Sequence, residues 1–171
     1  GVSVHQIDCK NRAVNGKYRG ECIVNTIPWP EFTEINNCTE TVKEYCRSLP
    51  YTSLEVRYFG EDISEDFQWI YYPDLKLPYH RKFFRANFLE GSHGGFYETN
   101  VERMSPSEDW RYINKYAYPC NVIEKPGMIQ EILAEMRRYH IYGIGRWGEW
   151  EHLNADVVVG HAAGIVEEIV R

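Results

Sequence analysis

Two arginines stand among residues that could bind an anion. Arg81 lies in the aromatic stretch Tyr79–Phe88, ten residues after Tyr71. Arg146 lies in the run Gly143-Ile144-Gly145-Arg146-Trp147-Gly148. A guanidinium is permanently charged and offers a planar fork of donors, which suits phosphate and carboxylate groups. Tyrosine hydroxyls add donors at little entropic cost, and Tyr118, with Tyr116 as its rival, stands in another Tyr-rich segment. The plain alternatives are equally concrete. An arginine in an aromatic strand is commonly stacked on rings or paired with a carboxylate, and Arg146 could cap a helix or pair with Glu149.

The other candidate motifs carry less. Gly143–Gly148 is literally G-x-G-x-x-G. The dinucleotide fingerprint needs a preceding strand, a helix opening from the motif and a second strand after it. A charged loop with Trp147 and Trp150 follows instead, and one helix takes up nearly all of the rest of the chain. The glycines are expected to let backbone segments approach closely. Five cysteines, an odd count without a C-x-x-C, support neither a disulfide framework nor a zinc site, so ordinary free thiols are expected. His5, His80, His93, His140 and His161 lack metal-ligand spacing, and no metal is expected. Asn37-Cys38-Thr39 matches a glycosylation sequon, a pattern frequent by chance.

Strands and helices must position these residues. Tyr18–Ile27 reads as a strand stopped by Pro28-Trp29-Pro30, since proline lacks the ladder donor and restricts its neighbour. A short helix is expected over Thr39–Arg47. Thr52–Phe59 alternates apolar and polar residues and predicts a strand. Phe67–Tyr72, His80–Leu89 and Gly94–Val101 predict three more, with Glu61–Glu65 as a hairpin turn. Closely spaced strands imply a mostly antiparallel sheet. After Pro119 the period lengthens. Met128, Ile129, Ile132, Leu133 and Met136 share a helical face, with Pro126 near the start and Arg137 and Arg138 near the end. His140–Ile144 predicts a short strand, Gly145–Asn154 a loop, and Ala155–Val170 a last helix with Asn154 as its N-cap.

The composition is that of a globular protein, and the strands and helices above make its class α+β. The 171 residues are 43% hydrophobic and 26% charged, with thirteen Tyr and five Trp. A net charge of -6 disfavours a general nucleic-acid partner. No apolar run approaches the roughly 18 residues of a membrane span. The chain begins at Gly1 with no signal-peptide pattern, so a cytoplasmic piece of a longer protein is expected.

Four segments share a resemblance. Gly145–Ala163, GRWGEWEHLNADVVVGHAA, resembles the flavin-binding motif of UDP-galactopyranose mutases, within the amine-oxidase and protoporphyrinogen-oxidase superfamily. That motif reads G-R-aromatic-G-x-W-x-Y, then Asn or Asp, then a helix. Tyr18–Phe32 resembles the family's strand and Thr-Ile-Pro-Trp turn. Trp69–Phe88 resembles its W-x-Y-x-P segment with the same step to an arginine. Tyr116–Leu133 resembles its Tyr-Pro segment and helix. The four run in the family's order.

The resemblance implies a mostly antiparallel substrate sheet with a few helices and a C-terminal helix facing FAD, as part of a larger Rossmann-like flavoprotein. It implies a substrate-binding region over about residues 18–118. It implies a return to the FAD domain over about 119–171, with the adenosine-binding half lying upstream and the isolated chain inactive. In this family reduced FAD acts through N5 on the anomeric carbon of a nucleotide sugar, interconverting pyranose and furanose forms. Carried over residue by residue, Tyr71, Arg81 and Tyr118 bind the diphosphate. Gly145 and Arg146 lie beside the flavin. Asn154, Ala155 and Asp156 form the turn against its ring, and Asn154 and Arg146 also serve the substrate. Where the family has a second Tyr, this chain has His152, which can donate to phosphate and gains charge near neutral pH. Trp147 and Trp150 could be plain core; with the resemblance they are expected to pack around the flavin. A flavin-dependent oxidase of the amine-oxidase type and a non-catalytic sheet domain are the alternative readings. A homo-oligomer is left open.

Overall fold

The computed structural model describes residues 1–62, 66–104 and 110–170. The elements in chain order are β1 (Gln6–Asp8), β2 (Ala13–Val14), β3 (Tyr18–Arg19), β4 (Ile23–Asn25), β5 (Glu34–Asn36), α1 (Glu40–Ser48), β6 (Tyr51–Phe59), β7 (Trp69–Tyr71), β8 (Arg81–Phe84), β9 (Gly95–Asn100), β10 (Arg111–Pro119), α2 (Lys125–Arg138), β11 (Ile141–Gly143), α3 (Gly145–Gly148) and α4 (Ala155–Val170). Two compact units result: Gly1–Pro50 with Pro119–Arg171, and Tyr51–Tyr118. Among the described residues, no helix is long and apolar enough to cross a membrane.

The first unit holds a sheet of order β3-β2-β1-β5 and a parallel pair, β4 with β11. β1 runs antiparallel to β2 and parallel to β5. α1 starts at Thr39, whose hydroxyl accepts from the Val42 N–H, a cap that contributes about 1 kcal/mol. Val42 and Cys46, four residues apart, form its buried stripe. Glu135 of α2 accepts from both the backbone N–H and the hydroxyl of Thr39, which ties the two helices together. α2 carries Pro126 in its first turn, buries Ile129, Ile132 and Met136, and ends on Arg137 and Arg138.

The second unit is a five-stranded sheet of order β10-β6-β9-β8-β7. β6–β9, β9–β8 and β8–β7 are antiparallel, in keeping with the α+β expectation. The register aligns Tyr71, Arg81, Glu98 and Val56 across four strands. Because side chains alternate, these point to one face, and Lys82, Tyr97 and Arg57 point to the other.

Several expected boundaries change. The strand expected over Tyr18–Ile27 breaks into β3 and β4 at Gly20, where a Cβ would stand 2.8 Å from the Cys22 carbonyl oxygen. The strand expected over His80–Leu89 stops at Phe84 and passes into a short 3-10 turn, Arg85–Asn87. β10 was not expected, because neither side of its alternation is consistently apolar: Asn114 falls among the tyrosines, and Arg111 and Lys115 fall among Ile113 and Ala117. The hairpin turn expected at Glu61–Glu65 falls partly on residues 63–65, which lie outside the described residues; β6 and β7, on either side, are not sheet neighbours. The loop expected over Gly145–Asn154 opens with the helical turn α3.

Candidate functional site

In the 51–118 unit, Arg81 is the centre of a polar cluster built by strand register. Its Nε donates to Glu98 Oε2 at 2.8 Å, and its Nη2 donates to the same oxygen. Nη1 donates to Tyr71 Oη at 2.8 Å and Nη2 to Tyr118 Oη at 3.3 Å. The guanidinium also lies over the Phe83 ring, 4.5 Å from its centroid, and 5.2 Å from that of Tyr71. The plain alternatives of stacking and carboxylate pairing are therefore both realised at this arginine. The structure also brings together the three residues that the sequence proposed for a diphosphate. Tyr118, not Tyr116, reaches Arg81; the Tyr116 ring packs on Tyr51 at 4.4 Å.

Glu98 is the member that sequence reasoning missed. Its side chain and that of Arg81 are each 14% exposed, so their attraction is only weakly screened. Burial pulls the Arg81 pKa down, but the hydrogen bonds with Glu98 and Tyr118 together outweigh it and the net shift is up. His80, whose Nε2 is 3.9 Å from Glu98 Oε2, is shifted down chiefly by burial, against the pull of the carboxylate. Tyr71 is 60% exposed and forms the open edge of the cluster.

The opposite face of the same sheet carries a cavity of about 590 Å³. Phe59, Tyr79, Tyr97 and Trp110 wall it, and Glu55, Arg57 and Thr99 supply its polar lining. Lys82 lies within 5.8 Å of the ring centroids of Phe59, Tyr72, Tyr79 and Tyr97. Glu55 is buried and pairs with Arg57 Nε at 3.0 Å. This hollow is distinct from the Arg81 cluster, because Lys82 and Arg81 are adjacent in β8 and face opposite ways. In the Arg81 cluster two phenol hydroxyls and a carboxylate surround the cation, with Tyr71 at an exposed edge.

In the other unit, the glycine run is a packing device. A Cβ on Gly148 would stand 2.4 Å from the Asn25 carbonyl oxygen, and one on Gly143 would stand 2.4 Å from that of Gly148. The Trp29 indole donates to the Gly148 carbonyl at 2.9 Å, locking this turn onto the 3-10 turn Trp29–Glu31 that follows β4. The close-approach expectation is met, and the approaching group is the chain's own backbone. Trp150, expected to pack around a flavin, is core instead: it is fully buried, and its indole donates to the Pro50 carbonyl at 3.0 Å.

Gly145 has φ +76, a left-handed conformation that favours glycine. Its N–H donates to Glu149 Oε2 at 2.7 Å, and the other oxygen of Glu149 meets His161 Nδ1 at 2.6 Å. Glu149 thus pairs with Gly145 and His161, while Arg146 Nη2 reaches the Leu153 carbonyl at 3.5 Å. That contact braces the segment just before α4. The Val158 N–H donates to the Asn154 carbonyl, as expected of a residue in the N-cap position. His152, Asn154, Ala155 and Asp156 are all exposed. The first N–H groups of a helix lack intrahelical acceptors and carry partial positive charge. With Arg146 bracing the turn, this donor set fits the acceptor-rich, anionic edge of a reduced flavin, and Asp156 in the first turn moderates the charge. Among the described residues, no group of three or more His, Cys, Asp or Glu could hold a metal ion.

No family model and no curated protein matches the chain. Among solved structures, a crystal structure titled as reduced UDP-galactopyranose mutase matches with a TM-score of 0.69 at 18% identity. The match covers 88% of this chain and 41% of the mutase chain. At that identity the likeness is one of fold: this α+β chain folds like a portion of UDP-galactopyranose mutase.

Proposed function

We propose that this chain is the substrate-binding sheet and flavin-facing end of a flavin-dependent mutase that interconverts pyranose and furanose forms of a nucleotide sugar. The observation that supports this reading is the junction of Tyr71, Arg81 and Tyr118 in one polar cluster, drawn from β7, β8 and β10. An oxidase of amines or carbon skeletons has no use for such a diphosphate site, so the mutase reading is preferred. The mutase likeness in fold agrees with it. On this reading about 18–118 serves the substrate and about 119–171 the flavin. A separate βαβ segment holds the adenosine part, and the protein works in the cytoplasm.

The chemistry divides accordingly. Reduced FAD, when bound, supplies the nucleophile toward the anomeric carbon. Arg81 holds the diphosphate leaving group by charge, and Tyr71 and Tyr118 turn their hydroxyls from the guanidinium toward phosphate oxygens. Glu98 keeps the fork in place and offsets part of its charge. Arg146 keeps the turn before α4 in place.

The test is turnover by the flavin-loaded protein that carries this chain. Chemically reduced enzyme should convert UDP-galactopyranose to its furanose isomer with no net oxidation, and oxidised enzyme should not. Flavin reduction coupled to loss of an amine, with no isomerisation, would sink the proposal.

A further inference from the structure

The cavity in the 51–118 unit, on the sheet face away from Arg81, holds a buried carboxylate that the protein leaves without a hydrogen bond. Glu55 is 1% exposed, and neither of its oxygens has a hydrogen-bond partner among the described residues. Arg57 Nε stands 3.0 Å from Oε2, and Arg111 Nη1 stands 3.6 Å from Oε1. The two cations balance the charge of Glu55 without using its lone pairs. Buried polar groups are nearly always hydrogen-bonded, and an unmade bond is costly. Glu55 also lines a cavity of about 590 Å³, a size that suits a small-molecule ligand. Its open oxygens are acceptors that such a ligand can fill.

Strand register sets what lies around them. Glu55 is opposite Thr99 on β9, while Arg57 and Lys82 flank Tyr97 from the strands on either side. The Thr99 hydroxyl donates to the Pro78 carbonyl at 2.8 Å, so its remaining capacity is as an acceptor. Tyr79, Tyr97 and Trp110 give the cavity flat walls. Lys82 Nζ lies 4.8 Å from the Tyr79 ring centroid and 4.9 Å from that of Tyr97, held by rings rather than by a carboxylate. Acceptors at one end, rings between and a cation at the other end describe the ligand. It has a flat ring, two adjacent donors on the ring edge, and an anionic group beyond.

We propose that this cavity is a second binding site, for a nucleoside phosphate whose base presents two adjacent N–H donors, as guanine does with N1–H and its 2-amino group. The two oxygens of Glu55 accept that pair side by side. The base stacks on Tyr97 and Trp110, and the phosphate meets Lys82. From Glu55 to Lys82 is two strand spacings across and two residues along, about 12 Å between Cα positions, which an extended mononucleotide spans with the lysine side chain. Uracil offers a single N–H between two carbonyls, and adenine an acceptor beside its amino group. Both set lone pairs against the carboxylate, so UDP is not the ligand here. The inference stands apart from the mutase reading, because Arg81 faces the other way.

The test is calorimetric titration of the protein that carries this chain with GMP, in saturating UDP so that the Arg81 cluster is not the site read. GMP should bind with one site per chain. IMP, which lacks the 2-amino group, should bind about tenfold more weakly, and AMP weaker still. Glu55→Gln should weaken GMP binding by about tenfold or more, and Arg81→Ala should leave it unchanged. Lys82→Met should weaken GMP binding while leaving guanosine binding unchanged. Absence of GMP binding, equal affinity for GMP and IMP, or loss of GMP binding in Arg81→Ala overturns the proposal. If Glu55→Gln does not fold, the comparison of GMP with IMP on the unsubstituted protein decides. UDP titrated alone reports on the Arg81 cluster, so failure there is told apart from failure here.

Discussion

Glu98→Gln separates the two roles that the Arg81 cluster combines. In the folded sheet Glu98 occupies Nε and Nη2 of Arg81, so a diphosphate arriving at the exposed Tyr71 edge meets a cation whose charge is already offset. Two unit charges about 6 Å apart at an effective dielectric near 20 repel by roughly 3 kcal/mol. Salt and the spread of charge over the diphosphate reduce this to about 1–2 kcal/mol, so UDP should bind roughly tenfold more tightly to the variant. The Gln carbonyl keeps an acceptor for Nε and loses the charge assistance, which should lower stability by about 1 kcal/mol. Calorimetric titration of UDP into the flavin-loaded protein measures the first quantity, at several salt concentrations. Urea unfolding measures the second. If Glu98→Gln weakens UDP binding, the carboxylate is needed to aim the guanidinium, and the charge-offset reasoning fails. If affinity is unchanged while stability falls, the diphosphate does not meet Arg81.

Two predictions concern the other unit. Gly148→Ala drives a methyl group into the Asn25 carbonyl oxygen and strains the turn that accepts from Trp29. It should cost about 1–3 kcal/mol in urea unfolding, and an unchanged midpoint would mean that the turn relaxes freely. For Asp8, burial pushes the pKa up, but hydrogen bonds from Asn37 and Asn11 outweigh it, and the net shift is below the ordinary 3.8. That stabilisation is present above the ordinary value and is lost as pH falls through the lower folded value. Asp8→Asn should therefore flatten the acid limb of stability below the ordinary 3.8 and leave its slope at neutral pH unchanged, as read from unfolding curves from neutral into acid pH.

Legibility in the sequence followed the range of the forces involved. α4 has the expected bounds, opening after Asn154 with Asp156 in its first turn, and α1 begins one residue later than expected because Thr39 is its cap rather than its first residue. Both depend on neighbours within a turn or two. The meeting of Tyr71 and Arg81 was legible as a fixed spacing, which the β7–β8 pairing turns into direct opposition. Glu98 was not legible. Its partnership with Arg81 depends on the β8–β9 register, and no local pattern distinguishes it from other strand carboxylates. Trp150 misled because an indole in a flavin motif and an indole in a core are the same residue type. Only its full burial and the Pro50 carbonyl decide between them.

The central claim is that Arg81, with Tyr71 and Tyr118, holds the diphosphate of a nucleotide sugar. Arg81→Ala in the flavin-loaded protein tests it most directly, with UDP affinity and bound flavin measured on the same preparation. Loss of a charge-assisted fork should weaken UDP binding by about 2–4 kcal/mol, roughly 30- to 1,000-fold, with flavin content nearly unchanged. Retained UDP affinity with loss of flavin would contradict the claim.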